Sequence, residues 1–156
     1  MRTRTYDHRN GLKVVPKDIV DTVEKVVWEI NPSLSKNSVT VIKDSIRERL
    51  EKEGWSGEYR LDATSRITIS SYLQGIGLCF QTGNVGRIYA DLLKLQTLYT
   101  KGNIAAGIIL VPQMKTAKEL GYNMANYERL IRELPIFSQV ITMPIVVIGF
   151  DGTEVE

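Results

Sequence analysis

Arg66-Ile-Thr-Ile-Ser70-Ser-Tyr-Leu-Gln74-Gly75-Ile-Gly-Leu-Cys79-Phe-Gln81-Thr-Gly83-Asn84-Val-Gly-Arg87-Ile-Tyr-Ala-Asp91-Leu-Leu-Lys94-Leu-Gln-Thr-Leu-Tyr99 decides the fold. The first part alternates, with Ile67 and Ile69 on one side and Thr68 and Ser70 on the other. Gln74-Gly75 supplies a tight turn. Leu78 and Phe80 then alternate with Gly77, Cys79 and Gln81, which is the period of a second strand. A hairpin at this spacing brings Ser70 near Cys79 and Gln81, on the face the large apolar side chains leave free. After Gly83-Asn84 the period becomes helical. Val85, Ile88, Tyr89, Leu92, Leu93 and Tyr99 predict a helix of about four turns at ~3.6 residues per turn.

Outward from this stretch, Pro16 sits where a helix can begin, because its missing N–H is not needed in the first turn. Ile19, Val20, Val23, Val26, Val27 and Ile30 follow at helical spacing until Asn31-Pro32. Ser38 is placed to cap a second helix with Val39, Ile42, Ile46 and Leu50 on one face. Its other face carries Lys43, Asp44, Arg47, Glu48 and Glu51, and reads as solvated. Trp55, among glycines, reads as a packing plug. Ala105–Val111 and Pro144–Phe150 are apolar runs suited to strands buried on both faces. Helical patterns lie between them. The order predicts an α/β domain with a mixed sheet flanked by helices, one domain over residues 1–156.

Twenty Lys and Arg residues against 18 Asp and Glu leave a formal charge of only +2. Nucleic-acid binding must therefore be argued from where charges sit. Residues 1–15 are basic, with Arg2, Arg4, Arg9 and Lys13 against Asp7. They read as an irregular arm able to follow a DNA groove, or as a disordered basic terminus. The single cysteine excludes an intrachain disulfide and a cysteine-based zinc site. The single histidine, His8, argues against a multi-histidine metal centre. With no apolar leader and no run long enough to cross a bilayer, the expectation is a cytoplasmic protein away from membranes.

The hairpin and helix resemble the catalytic segment of the BglII-type restriction endonucleases, a branch of the PD-(D/E)XK nuclease superfamily. The resemblance is sharpest at Phe80-Gln81-Thr82-Gly83-Asn84-Val85-Gly86-Arg87 and at Asp91-Leu92-Leu93-Lys94. It implies a restriction-endonuclease-like core, duplex DNA as partner, a homodimer reading two half-sites, and Mg²⁺-dependent phosphodiester hydrolysis. It also implies site positions. Gln81 falls where this branch carries glutamine, which puts Cys79 and Ser70 at the two carboxylate positions. Neither is acidic.

Serine is a weak neutral ligand and a thiol prefers soft metals, so Mg²⁺ has no charged donor among Ser70, Cys79 and Gln81. The expectation is no metal ligand set and a DNA-binding protein with an impaired or inactive centre. A working nuclease would need a relocated acid, Asp62 being the first candidate, with Glu48, Glu51 and Asp91 behind it. Mg²⁺ is expected only in that case. A third reading is a non-catalytic interaction scaffold of nuclease descent. Arg87 and Lys94, seven apart and within roughly 20° on one helix face, are candidate phosphate contacts. Asn84 and the free N–H groups of Gly83 and Gly86 are candidates at the helix start, and Arg2, Arg4 and Arg9 complete the set. The chain ends soon after Pro144–Phe150, so elements used for sequence readout in larger family members are expected to be missing.

Overall fold

The computed structural model describes residues 1–153. Its elements, in chain order, are β1 (Arg2–His8), α1 (Gly11–Val14), α2 (Lys17–Trp28), α3 (Ser38–Lys52), β2 (Tyr59–Arg60), β3 (Thr68–Ile69), β4 (Ser71–Leu73), β5 (Ile76–Phe80), α4 (Arg87–Thr100), β6 (Ala106–Pro112), α5 (Met114–Leu120), α6 (Tyr127–Glu133), a 3₁₀ turn (Leu134–Phe137) and β7 (Ile145–Asp151). The main sheet has five strands in the order β1-β7-β6-β5-β4. Its three inner strands are parallel, and both edge strands run antiparallel to their neighbours. This is the mixed α/β sheet that the sequence predicts.

The parallel centre is apolar on both faces, as helices on each side require. Leu78, Ile108, Leu110, Ile148 and Phe150 meet α2 and α3 through Val23, Val27, Ile42 and Ile46. Cys79, Ile109, Val111 and Val147 point the other way, against Leu92, Leu95 and Leu98 of α4 and Leu130 of α6. Alternation along β5 therefore sends Leu78 and Cys79 into different cores. Leu95 lies directly on the sheet: a Cβ at Gly77 would come within 3.0 Å of it, and one at Gly107 within 3.2 Å. These close approaches fix the height of α4 above the end of β5.

The hairpin turns at Gln74-Gly75, where both residues have positive φ, 47° and 82°. Two left-handed residues give the turn twist that matches a two-residue hairpin. The strand before it is less regular than its alternation implies. The β4–β5 pairing begins at Ser71 opposite Leu78. Ser70 lies in a break between β3, which pairs only with β2, and β4. Ile67 is exposed while Ile69 is buried, so the two isoleucines do not share one apolar face.

Two further expectations are corrected. Residues 2–8 are no arm: β1 closes the sheet edge, with Arg2 opposite Asp151 and His8 opposite Ile145. Arginines alternate with threonines there, and an edge strand tolerates charge because one side of it meets water. Ser38 does not cap α3. It is the first helical residue, and its hydroxyl turns back to donate to the Ser33 carbonyl.

Candidate functional site

At the β4 edge of the sheet, α3 from one face and α4 from the other enclose a cavity of about 340 Å³. Ser70 reaches it from the break between β3 and β4, and Gln81 from just beyond β5. Arg87, Asp91 and Lys94, at i, i+4 and i+7, present one face of α4 to it. The opposite wall is built the same way by Lys43, Ile46, Arg47 and Leu50 of α3, with Glu58 entering from the loop before β2.

The three positions that the resemblance aligns with the family's catalytic residues all carry neutral side chains: Ser70 and Gln81 are hydrogen-bonded, and Cys79 is buried. The Ser70 hydroxyl accepts a 2.9 Å hydrogen bond from the Phe80 backbone N–H. It thereby serves a donor that the β4–β5 ladder, ending at Ser71–Leu78, does not reach. Cys79 is 2% exposed and belongs to the α4 core, so it lies beneath the cavity wall. Burial pushes its thiol well above the ordinary cysteine range, and the nearby Asp91 charge adds to that. It is therefore a protonated, poorly nucleophilic group. Gln81 donates from Nε2 to Asp91 Oδ2 at 2.5 Å, and its Oε1 accepts from the Gly83 N–H at 2.8 Å. A Cβ on residue 83 would lie 2.7 Å from both Gln81 Oε1 and Arg87 Cδ, so glycine is what lets these two side chains close over the turn.

Asp91 is the buried carboxylate of this site. Burial raises its pKa, opposed by the Gln81 hydrogen bond and then by the Lys94 and Arg87 charges. Lys94 lies 3.8 Å from its Oδ1. The four cations Lys43, Arg47, Arg87 and Lys94 thus line the cavity against two carboxylates, Asp91 and Glu58. Among the described residues, no three His, Cys, Asp or Glu side chains are grouped as a metal site. The donor chemistry agrees: a serine hydroxyl, a protonated thiol and an engaged amide do not fit Mg²⁺, a hard cation that selects carboxylate oxygen.

The remaining predicted site residues fall elsewhere. Asp62 is exposed and outside the cavity lining. Its Oδ1 accepts from Thr64 N, Thr64 Oγ1 and Ser65 N within its own turn, which lowers its pKa. Glu48 pairs with Lys52 at 3.4 Å on the solvent side of α3. Asn84 accepts from Gly86 N–H through Oδ1, and Gly83 N–H is held by Gln81, so these donors are not open to an anion.

Arg2 and Arg4 on β1, and Arg9 just after it, lie at the opposite edge of the sheet, four strand spacings of ~4.8 Å from β4. Arg2 pairs with Asp151 at 3.1 Å, the Arg4 guanidinium lies 5.3 Å from the Tyr127 ring centre, and Arg9 donates twice to the Ser138 carbonyl. His8 is buried at the same edge, hydrogen-bonded to the Ile141 carbonyl, with its pKa lowered by burial. Sequence reasoning missed Lys43, Arg47 and Glu58. The first two share a helix face with Ile46 and Leu50, a spacing that marks them as flanking the core.

The family model described as restriction endonuclease BamHI matches residues 2–156. The chain belongs to this family. It is 29% identical over 92 residues to the type II restriction enzyme BamHI of Bacillus amyloliquefaciens, a match covering 59% of this chain and 42% of that enzyme. The chain therefore matches about two fifths of the length of this relative. Its fold is also that of the restriction endonuclease BglII. A crystal structure of BglII complexed with a DNA 16-mer superposes with a TM-score of 0.84 at 10% identity, over 96% of this chain and 76% of that one. Free BglII gives 0.79 at 10% identity, over 100% and 82%. No helix among the described residues is long and apolar enough to cross a membrane.

Proposed function

We propose that this protein binds duplex DNA through the α3–α4 cavity and does not hydrolyse it by ordinary Mg²⁺ chemistry. The supporting observation is the cavity's composition: the three catalytic positions are neutral and engaged, while cations outnumber carboxylates around them. Such a lining attracts a phosphodiester but gives a divalent ion little to bind. Two Mg²⁺ functions, polarising the phosphate and generating a nucleophilic water, then have no provider. The test is fluorescence anisotropy on a mixed-sequence duplex at low salt, beside nicking of supercoiled plasmid with Mg²⁺ or Mn²⁺. Binding without nicking is the expected result. Nicking that depends on the protein and on metal would overturn it.

A second reading, an active nuclease with a relocated acid, draws support from Asp91, not from Asp62. Asp91 reaches the cavity and touches Gln81; Asp62 does neither. In that reading Asp91→Asn abolishes nicking.

The dimer expectation finds its support on the outer side of α4. Leu93, Ile136 and Val140 are each at least 60% exposed, and Phe137 stacks edge-on against Tyr89, one turn from Leu93. We assign this apolar surface to a second copy of the chain. Sedimentation equilibrium of the parent and of Leu93→Lys tests it: a monomeric parent sinks the assignment.

A further inference from the structure

We infer that the cavity seats a DNA backbone phosphate directly on Lys43, Arg47, Arg87 and Lys94, with these side chains replacing a divalent ion as its counter-charge. This rests on the DNA-binding reading above and goes beyond it by naming the residues and the metal independence.

The four cations come from helices on opposite faces of the sheet, yet they converge on one cavity. A chain of formal charge +2 has few cations in excess, so their grouping here is not a property of a generally basic surface. They are also weakly committed inside the fold. Lys43 and Arg87 form no ion pair among the described residues. Arg47 reaches only Asp44, at 3.3 Å, with both side chains more than half exposed. Lys94 lies 3.8 Å from Asp91, whose charge burial already disfavours. Guanidinium groups present planar, paired donors that match phosphate oxygens, and lysine adds a compact point charge. The volume of about 340 Å³ admits a phosphate with its flanking sugars.

The serine and cysteine fit the same device. Carboxylates at residues 70 and 79 would repel a phosphate unless a metal lay between them. With neutral groups there, the phosphate meets cations with no ion required. Added Mg²⁺ then competes for the phosphate as an ordinary counter-ion and recruits nothing.

The experiment is anisotropy on a labelled duplex in EDTA and, at matched ionic strength, in Mg²⁺ or Ca²⁺, with the parent and with Lys43→Gln/Arg87→Gln. Both residues are exposed, so the fold should survive; circular dichroism checks this, and each single variant serves if the pair unfolds. Binding in EDTA is expected, with the divalent ions changing Kd by less than about twofold. The double variant is expected to lose on the order of tenfold in affinity and up to about one unit of salt slope, ~0.9 for the single phosphate the four cations share. A tenfold tightening of the parent by Mg²⁺ or Ca²⁺ overturns the metal-free clamp. Parent-like affinity and slope in the variants overturn the assignment of residues, while leaving DNA binding standing. No binding of the parent duplex in any condition overturns the DNA reading itself.

Discussion

Arg2 and Arg4 on β1, with Arg9 just after it, and the four cations around the cavity look alike as sequence, yet the fold uses them in opposite ways. At this edge each arginine has an acceptor: Asp151, the Tyr127 ring face and the Ser138 carbonyl. Around the cavity, Lys43 and Arg87 have no ion-pair partner among the described residues, and the other two have distant or solvent-screened ones. Two aspartates repeat the contrast. Asp151 is held by Thr116, Thr153 and Arg2. Asp91 receives Gln81 and a long contact from Lys94. Satisfied charges close a structure, whereas charges left short of partners are available to a ligand.

The strongest test of this contrast is Cys79→Glu. It puts an acid at a position that the resemblance aligns with a family carboxylate, but buries it in the α4 core beside Asp91. An unpaired buried charge costs about 3–5 kcal/mol, and urea denaturation should show a loss of that order. Parent-like stability, or full recovery on adding Mg²⁺, would mean that the cavity accepts a metal centre readily, and the contrast would fail.

The aspartates give a pair of opposite pH effects. For Asp151, burial raises the pKa but the Thr153, Thr116 and Arg2 contacts outweigh it, and the net shift is downward. Its contribution is complete above the unfolded-state value and is lost as pH falls through the folded one. Asp151→Asn should therefore cost about 2 kcal/mol near neutral pH, the range for hydrogen bonds to a charged group, and less in acid. Asp91 is shifted upward, by burial first. Its ionisation costs stability, absent in acid and growing as pH rises from the ordinary aspartate value of 3.8 through the folded one. Asp91→Asn should remove that slope, and should tighten DNA binding by taking a negative charge from the cavity. Thermal unfolding from acid to neutral pH separates the two; slopes of the same sign would break the comparison.

How far the sequence carries depends on whether a feature is local. The spacing in α2 and α4, the Gln74-Gly75 turn and the two apolar runs at β6 and β7 are local, and all are legible. The strand break at Ser70 is not, because it reflects where β3 leaves the main sheet for β2. β1 was hidden by its charges, although arginine–threonine alternation is the trace an exposed edge strand leaves. The candidate site was half legible. Gln81, Arg87 and Lys94 lie on the hairpin and the helix that follows it, within one local motif. Lys43, Arg47 and Glu58 arrive from elements far away in sequence, and the charges of α3 by themselves imply only a solvated face. Closeness in sequence to Ser70 points to Asp62, but its Oδ1 is used within its own turn.

The smallest expected effect belongs to Arg2→Gln combined with Arg4→Gln, and its smallness is informative. Arg2 is 57% exposed, so its pair with Asp151 is screened by water and contributes below about 1 kcal/mol. The Arg4 stack on Tyr127 adds an amount of similar size. Melting should shift by only a few degrees, roughly 2–4 °C per kcal/mol for a chain of this length. In the anisotropy assay the double variant should keep the parent salt slope, because neither guanidinium is near the cavity or free of its internal partner. A slope lower by about two units would place phosphates along β1. The bound duplex would then span both edges of the sheet, and internal pairing would no longer separate structural cations from ligand-binding ones.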